Sequence, residues 1–124
     1  MNWKIDDFDH VQLPIPPGST QQAIEFYTES LGLPEKPRPE ALLHRPGAWF
    51  QFGPYEIHLL EEDPFKVSPR HPAFRIGQLA DTRRQLEENG VRTKDTSKFP
   101  DRERFFFYDP FGNRFELIEF HKGS

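Results

Sequence analysis

Alternating apolar and polar residues predict β-strands, because successive side chains of a strand point to opposite faces. In FDHVQLPI, residues 8–15, Val11, Leu13 and Ile15 share an apolar face, whereas His10 lies on the other. This pattern is typical of a half-buried strand, and it places the histidine on the face away from the apolar core.

A hairpin is predicted over residues 49–62, with Gly53 and Pro54 at its turn. Its second arm, YEIHLLEE, has the same alternation. Ile57 and Leu59 share one face. The other face carries Glu56, His58 and Leu60. The second histidine therefore repeats the placement of the first.

The C-terminal hairpin FFFYDPFGNRFELIEF, residues 105–120, consists of two aromatic-rich runs on either side of the turn DPFGN. Pro110 fixes φ and Gly112 can adopt a positive φ, so the turn residues specify the reversal. Parity places Glu116 in mid-strand, on the face away from its apolar neighbours. A carboxylate there is costly to bury unless it is paired or bound to a cation.

Two helices are predicted over residues 19–31 and 79–89, each followed by a glycine that can end a helix. Ser19 and Gln22 have the spacing of a capping box. Residues 33–48 contain four prolines, so any strand there is short or lies at a sheet edge.

The order strand, helix, short strand, hairpin occurs twice, and a strand at residues 71–76 begins the second copy. The two copies align His10 with His71 and His58 with Glu116, and the separations of these two pairs along the chain are nearly equal. This duplication predicts an α+β fold with two βαβββ modules that form a cupped mixed sheet, with the helices on its convex side.

The chain length of 124 residues predicts a single domain. Module 1 is predicted at about residues 5–62 and module 2 at about residues 70–121. So small a chain is expected to leave its cavity open, and a homodimer is the predicted means of completing it.

Composition excludes several classes of function. The chain has a net charge of −4 and no Lys/Arg cluster beyond Arg83-Arg84, so no nucleic-acid partner is expected. It has no cysteine, which excludes a thiolate ligand or nucleophile. No apolar run is long enough to span a membrane or to form the core of a signal peptide, so a cytoplasmic location is expected.

The residues that bear the candidate chemistry lie on the strand faces opposite to the apolar ones. They are His10, His58, His71 and Glu116. Together they predict a site for a divalent ion such as Zn, Ni, Fe, Mn or Co. Taken singly, the histidines could be hydrogen-bonded surface groups, and the carboxylate could be salt-bridged to Arg75 or Arg104.

The chain resembles the vicinal oxygen chelate superfamily, which includes glyoxalase I, extradiol dioxygenases, fosfomycin-resistance thiol transferases, methylmalonyl-CoA epimerase and bleomycin-binding proteins. The resemblance covers nearly the whole chain. It is carried by FDHVQLPI, AIEFYTESLGL, WFQFGPYEIHLL, RHPAFRI and FFFYDPFGNRFELIEF.

The resemblance implies that metal ligands come from the first and fourth strands of each module, here His10, His58, His71 and Glu116. Two histidines and one carboxylate, matching His10, His71 and Glu116, would be the set of the dioxygenases and fosfomycin transferases. Glyoxalase I and the epimerase have a carboxylate or an amide where this chain has His58. Glu56, two residues earlier on the same face, is the candidate substitute base.

Two functions are expected from these features. The first is a metal-dependent lyase, isomerase or dioxygenase that acts on a small molecule with two adjacent oxygens, with Glu116 or Glu56 moving the proton. The alternative is a non-catalytic ligand-binding protein of the bleomycin-resistance type. The candidate substrate-binding residues are Trp49, Arg75, Arg104, Phe106 and Tyr108.

Overall fold

The strands form two four-stranded mixed sheets, one in each of two compact units, in a computed structural model that describes residues 2–122. Unit 1 comprises Met1–Thr28 and Gly32–Phe65, and unit 2 comprises Glu29–Leu31 and Lys66–Ser124. Each unit contains the elements of one βαβββ module. The predicted α+β fold of two modules is therefore confirmed.

In unit 1 the strand order is β1-β4-β3-β2, with β1 parallel to β4 and the other neighbours antiparallel. The short β2 lies at the sheet edge, as the prolines around it predicted. The elements are β1 (His10–Ile15), α1 (Thr20–Glu25), β2 (Glu35–Lys36), a 3-10 turn (Glu40–Leu42), β3 (Gly47–Phe52) and β4 (Tyr55–Glu61), and a π-helical segment (Phe26–Ser30) after α1 runs into the residues assigned to unit 2.

Unit 2 repeats this arrangement with the order β5-β8-β7-β6, and here β5 is parallel to β8. Its first strand is shorter than predicted, so His71 lies just before the strand. The elements are β5 (Ala73–Arg75), α2 (Leu79–Glu88), β6 (Arg92–Asp95), β7 (Arg102–Tyr108) and β8 (Arg114–Phe120).

Each sheet packs its apolar face against the helix of its own unit. In unit 1, Tyr27 stacks on Phe50 with ring centroids 5.1 Å apart, and both side chains are fully buried. In unit 2, Phe105, Phe107 and Phe115 are buried on the corresponding face. We call the opposite face of each sheet its helix-free face. The predicted candidate residues on the strands lie on these two faces.

The predicted capping box of the first helix is wrong. Ser19 makes no side-chain cap hydrogen bond to the helix, and its hydroxyl donates to the Pro16 carbonyl instead. The carboxylate of Glu61, at the end of β4, accepts hydrogen bonds from the backbone N–H groups of Gly18 and Thr20 at 2.7 and 3.3 Å. A tertiary contact therefore replaces the local one.

The second helix begins in the same way. Gln78 has a positive φ of 55° and provides no side-chain cap. Instead, the carboxylate of Glu119, at the end of β8, accepts from the backbone N–H groups of Gln78 and Leu79 at 3.2 and 2.9 Å. Glu61 and Glu119 have the same separation along the chain as His58 and Glu116, so they are equivalent positions of the duplicated module.

No helix in the described part of the chain is both long and apolar enough to cross a membrane.

Candidate functional site

Trp49, His58 and His10 form a stack of three rings on the helix-free face of unit 1. The His58 ring centroid lies 3.8 Å from that of Trp49 and 3.9 Å from that of His10, with interplanar angles of 4° and 16°. Imidazole lone pairs lie in the ring plane, so nearly parallel rings at this separation do not direct nitrogens at a common point. In this arrangement His58 packs against His10.

A chain of polar contacts leads away from this stack. His58 Nε2 lies 2.9 Å from Glu56 Oε1, and Lys36 Nζ donates to Glu56 Oε2 at 2.6 Å. The hydrogen bond from Lys36, followed by that from His58, lowers the pKa of Glu56 below its ordinary 4.5. The carboxylate is therefore ionised at neutral pH.

His58 itself is buried, with only 5% of its surface exposed. Burial, the largest cause, lowers the pKa of His58 below its ordinary 6.5, although the hydrogen bond with Glu56 opposes this shift. A neutral imidazole that donates its Nε2–H to Glu56 keeps its Nδ1 lone pair.

His10 is more exposed, at 40% of its side chain, and its Nδ1 lies 2.8 Å from Asp9 Oδ2. An ionised carboxylate only accepts hydrogen bonds, so Nδ1 carries the proton. In the neutral ring, Nε2 is then the nitrogen with a free lone pair.

His71, Glu116 and Arg104 form the corresponding cluster in unit 2. His71 Nε2 lies 3.0 Å from Glu116 Oε1, and Arg104 Nη1 donates to Glu116 Oε2 at 3.0 Å. The Arg104 and Glu116 side chains are about nine-tenths buried, at 10% and 9% exposure. Of the two arginines considered from the sequence, Arg104 is thus the one that pairs with Glu116.

The hydrogen bonds of His71 require an additional positive charge. Its Nδ1 lies 3.0 Å from the carbonyl oxygen of Pro69, which can only accept, so Nδ1 carries a proton. If the ring is neutral, Nε2 presents a lone pair to Glu116 Oε1, and an ionised carboxylate also only accepts. A proton or a metal ion must therefore lie between the two atoms.

The predicted substrate-binding residues of unit 2 lie on its helix-free face, where guanidinium groups stack on aromatic rings. Phe106 contacts His71 edge to face, with ring centroids 4.9 Å apart, and Arg114 lies over its ring. The guanidinium carbon of Arg92 lies 4.1 Å from the centroid of the Tyr108 ring. The guanidinium carbon of Arg75 lies 4.2 Å from the centroid of the Phe120 ring.

The structure therefore brings together two pairs of predicted ligands: His10 with His58, and His71 with Glu116. Among residues 2–122 it groups no three His, Asp or Glu side chains in a geometry that could hold one metal ion.

Sequence reasoning missed the partners that orient these groups. Asp9 holds His10, Lys36 holds Glu56, and the carbonyl of Pro69 holds His71. Asp9 adjoins His10 in the sequence and could have been recognised. Lys36 could not, because its contact depends on the position of the two-residue edge strand β2.

The duplicated mixed sheets, with histidines and a carboxylate on their helix-free faces, define a glyoxalase-like protein. The family model of the Glyoxalase/Bleomycin resistance protein/Dioxygenase superfamily matches residues 7–117. The chain belongs to this superfamily.

Solved structures extend the comparison. A glyoxalase family protein from Bacillus anthracis is similar over 98% of this chain and 100% of its own, with 39% identity and a TM-score of 0.89. A glyoxalase family protein from Enterococcus faecalis has 27% identity and a TM-score of 0.71 over 92% of this chain and 98% of its own.

The fosfomycin resistance protein FosX from Listeria monocytogenes, in complex with Mn(II) and sulfate ion, shares the fold. It has 18% identity and a TM-score of 0.70 over 96% of this chain and 94% of its own. A comparison with curated proteins gave no match.

Proposed function

We propose that this protein is a metal-dependent enzyme of the glyoxalase and dioxygenase type, acting on a small molecule with two adjacent oxygen atoms. The observation that carries the proposal is the contact of His71 Nε2 with Glu116 Oε1 at 3.0 Å. Because Pro69 fixes the proton of His71 on Nδ1, a cation is needed between these two acceptors.

The chemistry of the donor atoms suits a divalent metal ion. Imidazole nitrogen and carboxylate oxygen are usual ligands of Zn, Ni, Fe, Mn and Co. Metal-ligating histidines almost always donate their other ring N–H to a carboxylate, a carbonyl or water. His71 does so toward Pro69 and His10 toward Asp9.

His71 and Glu116 are therefore the proposed ligands in unit 2. His10 and His58 are proposed as further ligands. The free Nε2 of His10 favours it, whereas the ring stack and the contact with Glu56 favour a supporting role for His58. Arg104 already donates to Glu116 Oε2, so Oε1, which faces His71, is the proposed ligand oxygen of that carboxylate.

A bound divalent ion would act as a Lewis acid that stabilises negative charge as it develops on a substrate oxygen. Glu56 would accept the substrate proton as an ionised carboxylate, and the hydrogen bonds that lower its pKa also make it a weaker base. Glu116 is the alternative proton acceptor. Trp49, Phe106 and Tyr108 would contact the apolar part of the substrate, and Arg75 or Arg104 would contact an anionic part.

The partner is proposed to be a small molecule rather than nucleic acid or membrane. A homodimer and a cytoplasmic location stay predictions.

A second candidate is a non-catalytic ligand-binding protein of the bleomycin-resistance type. Arg104 favours it, because its guanidinium already compensates the charge of Glu116, so burial of this carboxylate does not by itself require a metal. In that case the cation between His71 and Glu116 is a proton.

The test is a turnover screen of apoprotein reloaded with each metal, using methylglyoxal with a thiol, catechols and fosfomycin as substrates. Calorimetric titration of the apoprotein with bleomycin runs beside it. We expect turnover with at least one metal, reduced at least about 100-fold in Glu116→Gln because the ligand carboxylate is lost. Glu103→Gln is the matched control, since Glu103 faces His121 in an exposed pair at 3.4 Å.

Tight, metal-independent binding of bleomycin without turnover, unchanged in Glu116→Gln, would decide for the binding protein.

A further inference from the structure

Charge is distributed unequally between the two units. Unit 2 contains 12 of the 16 Lys and Arg residues and 10 of the 20 Asp and Glu residues, whereas unit 1 contains 4 basic and 10 acidic residues. Unit 2 is therefore net positive in a chain whose total charge is −4. The excess on unit 2 suggests a ligand of opposite sign.

The helix-free face of unit 2 carries much of this positive charge. Strand register assigns six basic side chains and one acidic side chain to this face. The basic residues are Arg75, Arg92, Lys94, Arg102, Arg104 and Arg114, and the acidic residue is Glu116. The helix-free face of unit 1 differs, since Lys36 and Glu56 there neutralise each other in an ion pair.

Two of these arginines share one aromatic ring, and we call this group the Phe120 clamp. The guanidinium carbons of Arg75 and Arg102 lie 4.2 and 4.3 Å from the centroid of the Phe120 ring. The two carbons can thus be no more than about 8.5 Å apart, the sum of these distances. A separation within this bound leaves room for one anion at the edge of the ring to accept charge-assisted hydrogen bonds from both groups.

The two arginines of the Phe120 clamp differ in their present partners. Arg102 donates Nε and Nη2 to the carboxylate of Asp101 at 2.8 and 2.9 Å. Arg75 is exposed, and the structure shows no hydrogen-bond acceptor for its guanidinium among residues 2–122. Cation–π contact with Phe120 holds this guanidinium in place while its N–H donors stay available.

We propose that the Phe120 clamp binds an anionic group, of the phosphate, phosphonate or carboxylate type, at one end of the substrate. This inference rests on the proposed function, because it names the substrate class of the same face. Phe120 follows Glu116 by four residues on β8, which is about 13 Å along a strand. The substrate is then an elongated anion whose other end reaches the His71–Glu116 pair.

The test uses inorganic phosphate as the probe, titrated into the protein in EDTA and followed by backbone amide shifts. We expect saturable binding with a dissociation constant in the millimolar range, and shifts that cluster around residues 75, 102 and 120. Arg75→Gln should weaken binding at least about fivefold, because the guanidinium with available donors is lost. Arg84→Gln removes the same charge from the exposed face of α2 and should change binding less than about twofold.

Phe120→Leu separates geometry from charge, because it removes the shared ring and leaves the net charge unchanged. We expect it to weaken phosphate binding about as much as Arg75→Gln. Arg102→Gln is the second variant if Phe120→Leu fails to fold. Equal effects of Arg75→Gln and Arg84→Gln, wild-type binding by Phe120→Leu, or no saturation would overturn the proposal. Because EDTA excludes metal, such a failure leaves the metal proposal intact.

Discussion

At the scale of single residues, the site depends on which atoms are already engaged. A carbonyl beside one nitrogen of His71 determines what the other nitrogen can do. Arg104 likewise engages one oxygen of Glu116, and the other oxygen faces His71. The sequence suggested Arg75 and Arg104 as possible partners of Glu116, and only the strand register and side-chain packing separate them. The candidate partners were predictable, whereas the pairing was not.

Asp109 shows how one buried side chain specifies the turn that positions β8. Its Oδ1 accepts from the backbone N–H groups of Phe111 and Asn113 at 3.0 and 2.9 Å, and its Oδ2 accepts from Asn113 Nδ2 at 2.9 Å. The aspartate is 4% exposed. The sequence predicted this turn from Pro110 and Gly112, and the carboxylate adds the hydrogen bonds that hold it closed.

We predict that Asp109→Ala lowers the free energy of unfolding by about 2–3 kcal/mol, because half-buried donors of the turn lose a buried carboxylate acceptor. Urea denaturation followed by circular dichroism measures the change. Asp6→Ala, at an exposed position near the N-terminus, should change stability by less than about 0.5 kcal/mol. Equal stabilities of the two variants would contradict this role for Asp109.

At the scale of elements, each helix is capped by the last strand of its own unit. Glu61 caps α1 and Glu119 caps α2. The sequence predicted both helices but not these caps, because local spacing favoured Ser19 and Gln22. The repeat that aligns His58 with Glu116 also aligns Glu61 with Glu119, so the duplication contained the signal. The first helix also changes to a π-helical segment at Phe26, which apolar spacing does not reveal.

The cap on α1 makes stability depend on pH. Hydrogen bonds, first from the Thr20 side chain and then from the Gly18 backbone, lower the pKa of Glu61 below its ordinary 4.5. A lowered folded-state pKa means that Glu61 stabilises the fold above about pH 4.5. This contribution is lost as the pH falls through the folded-state value.

We expect Glu61→Gln to reduce the free energy of unfolding by about 1 kcal/mol at pH 7, as for loss of a helix N-cap. The difference from wild type should shrink as the pH falls below about 4.5, where the unfolded-state carboxylate is protonated, and should vanish once the folded-state carboxylate is protonated as well. Denaturant unfolding at pH 7 and pH 3 measures this difference in the free energy of unfolding. Glu62→Gln, at the neighbouring exposed glutamate, is the control and should show no such pH dependence. A loss of stability in Glu61→Gln that does not change with pH would contradict the role of Glu61 as the cap.

At the scale of the whole molecule, the duplication determines where chemistry is located. Alternation and the nearly equal separations of the two aligned pairs predicted the two modules and the face that each candidate residue occupies. The unequal charge of the two units can be counted from the sequence. Only the strand register shows that six of the basic side chains share one face of unit 2. Equivalent positions have therefore taken different roles, as at His58 and Glu116.

The central claim is that His71 and Glu116 hold a divalent ion. The direct measurement is the metal content of untagged protein after incubation with Zn, Ni, Mn or Fe(II) and removal of free metal. We predict about one ion per chain for wild type and for Glu103→Gln, and loss of the ion in a folded Glu116→Gln variant. No stoichiometric ion in the wild type, or equal content in Glu116→Gln, would contradict the claim and leave a proton as the cation between His71 and Glu116.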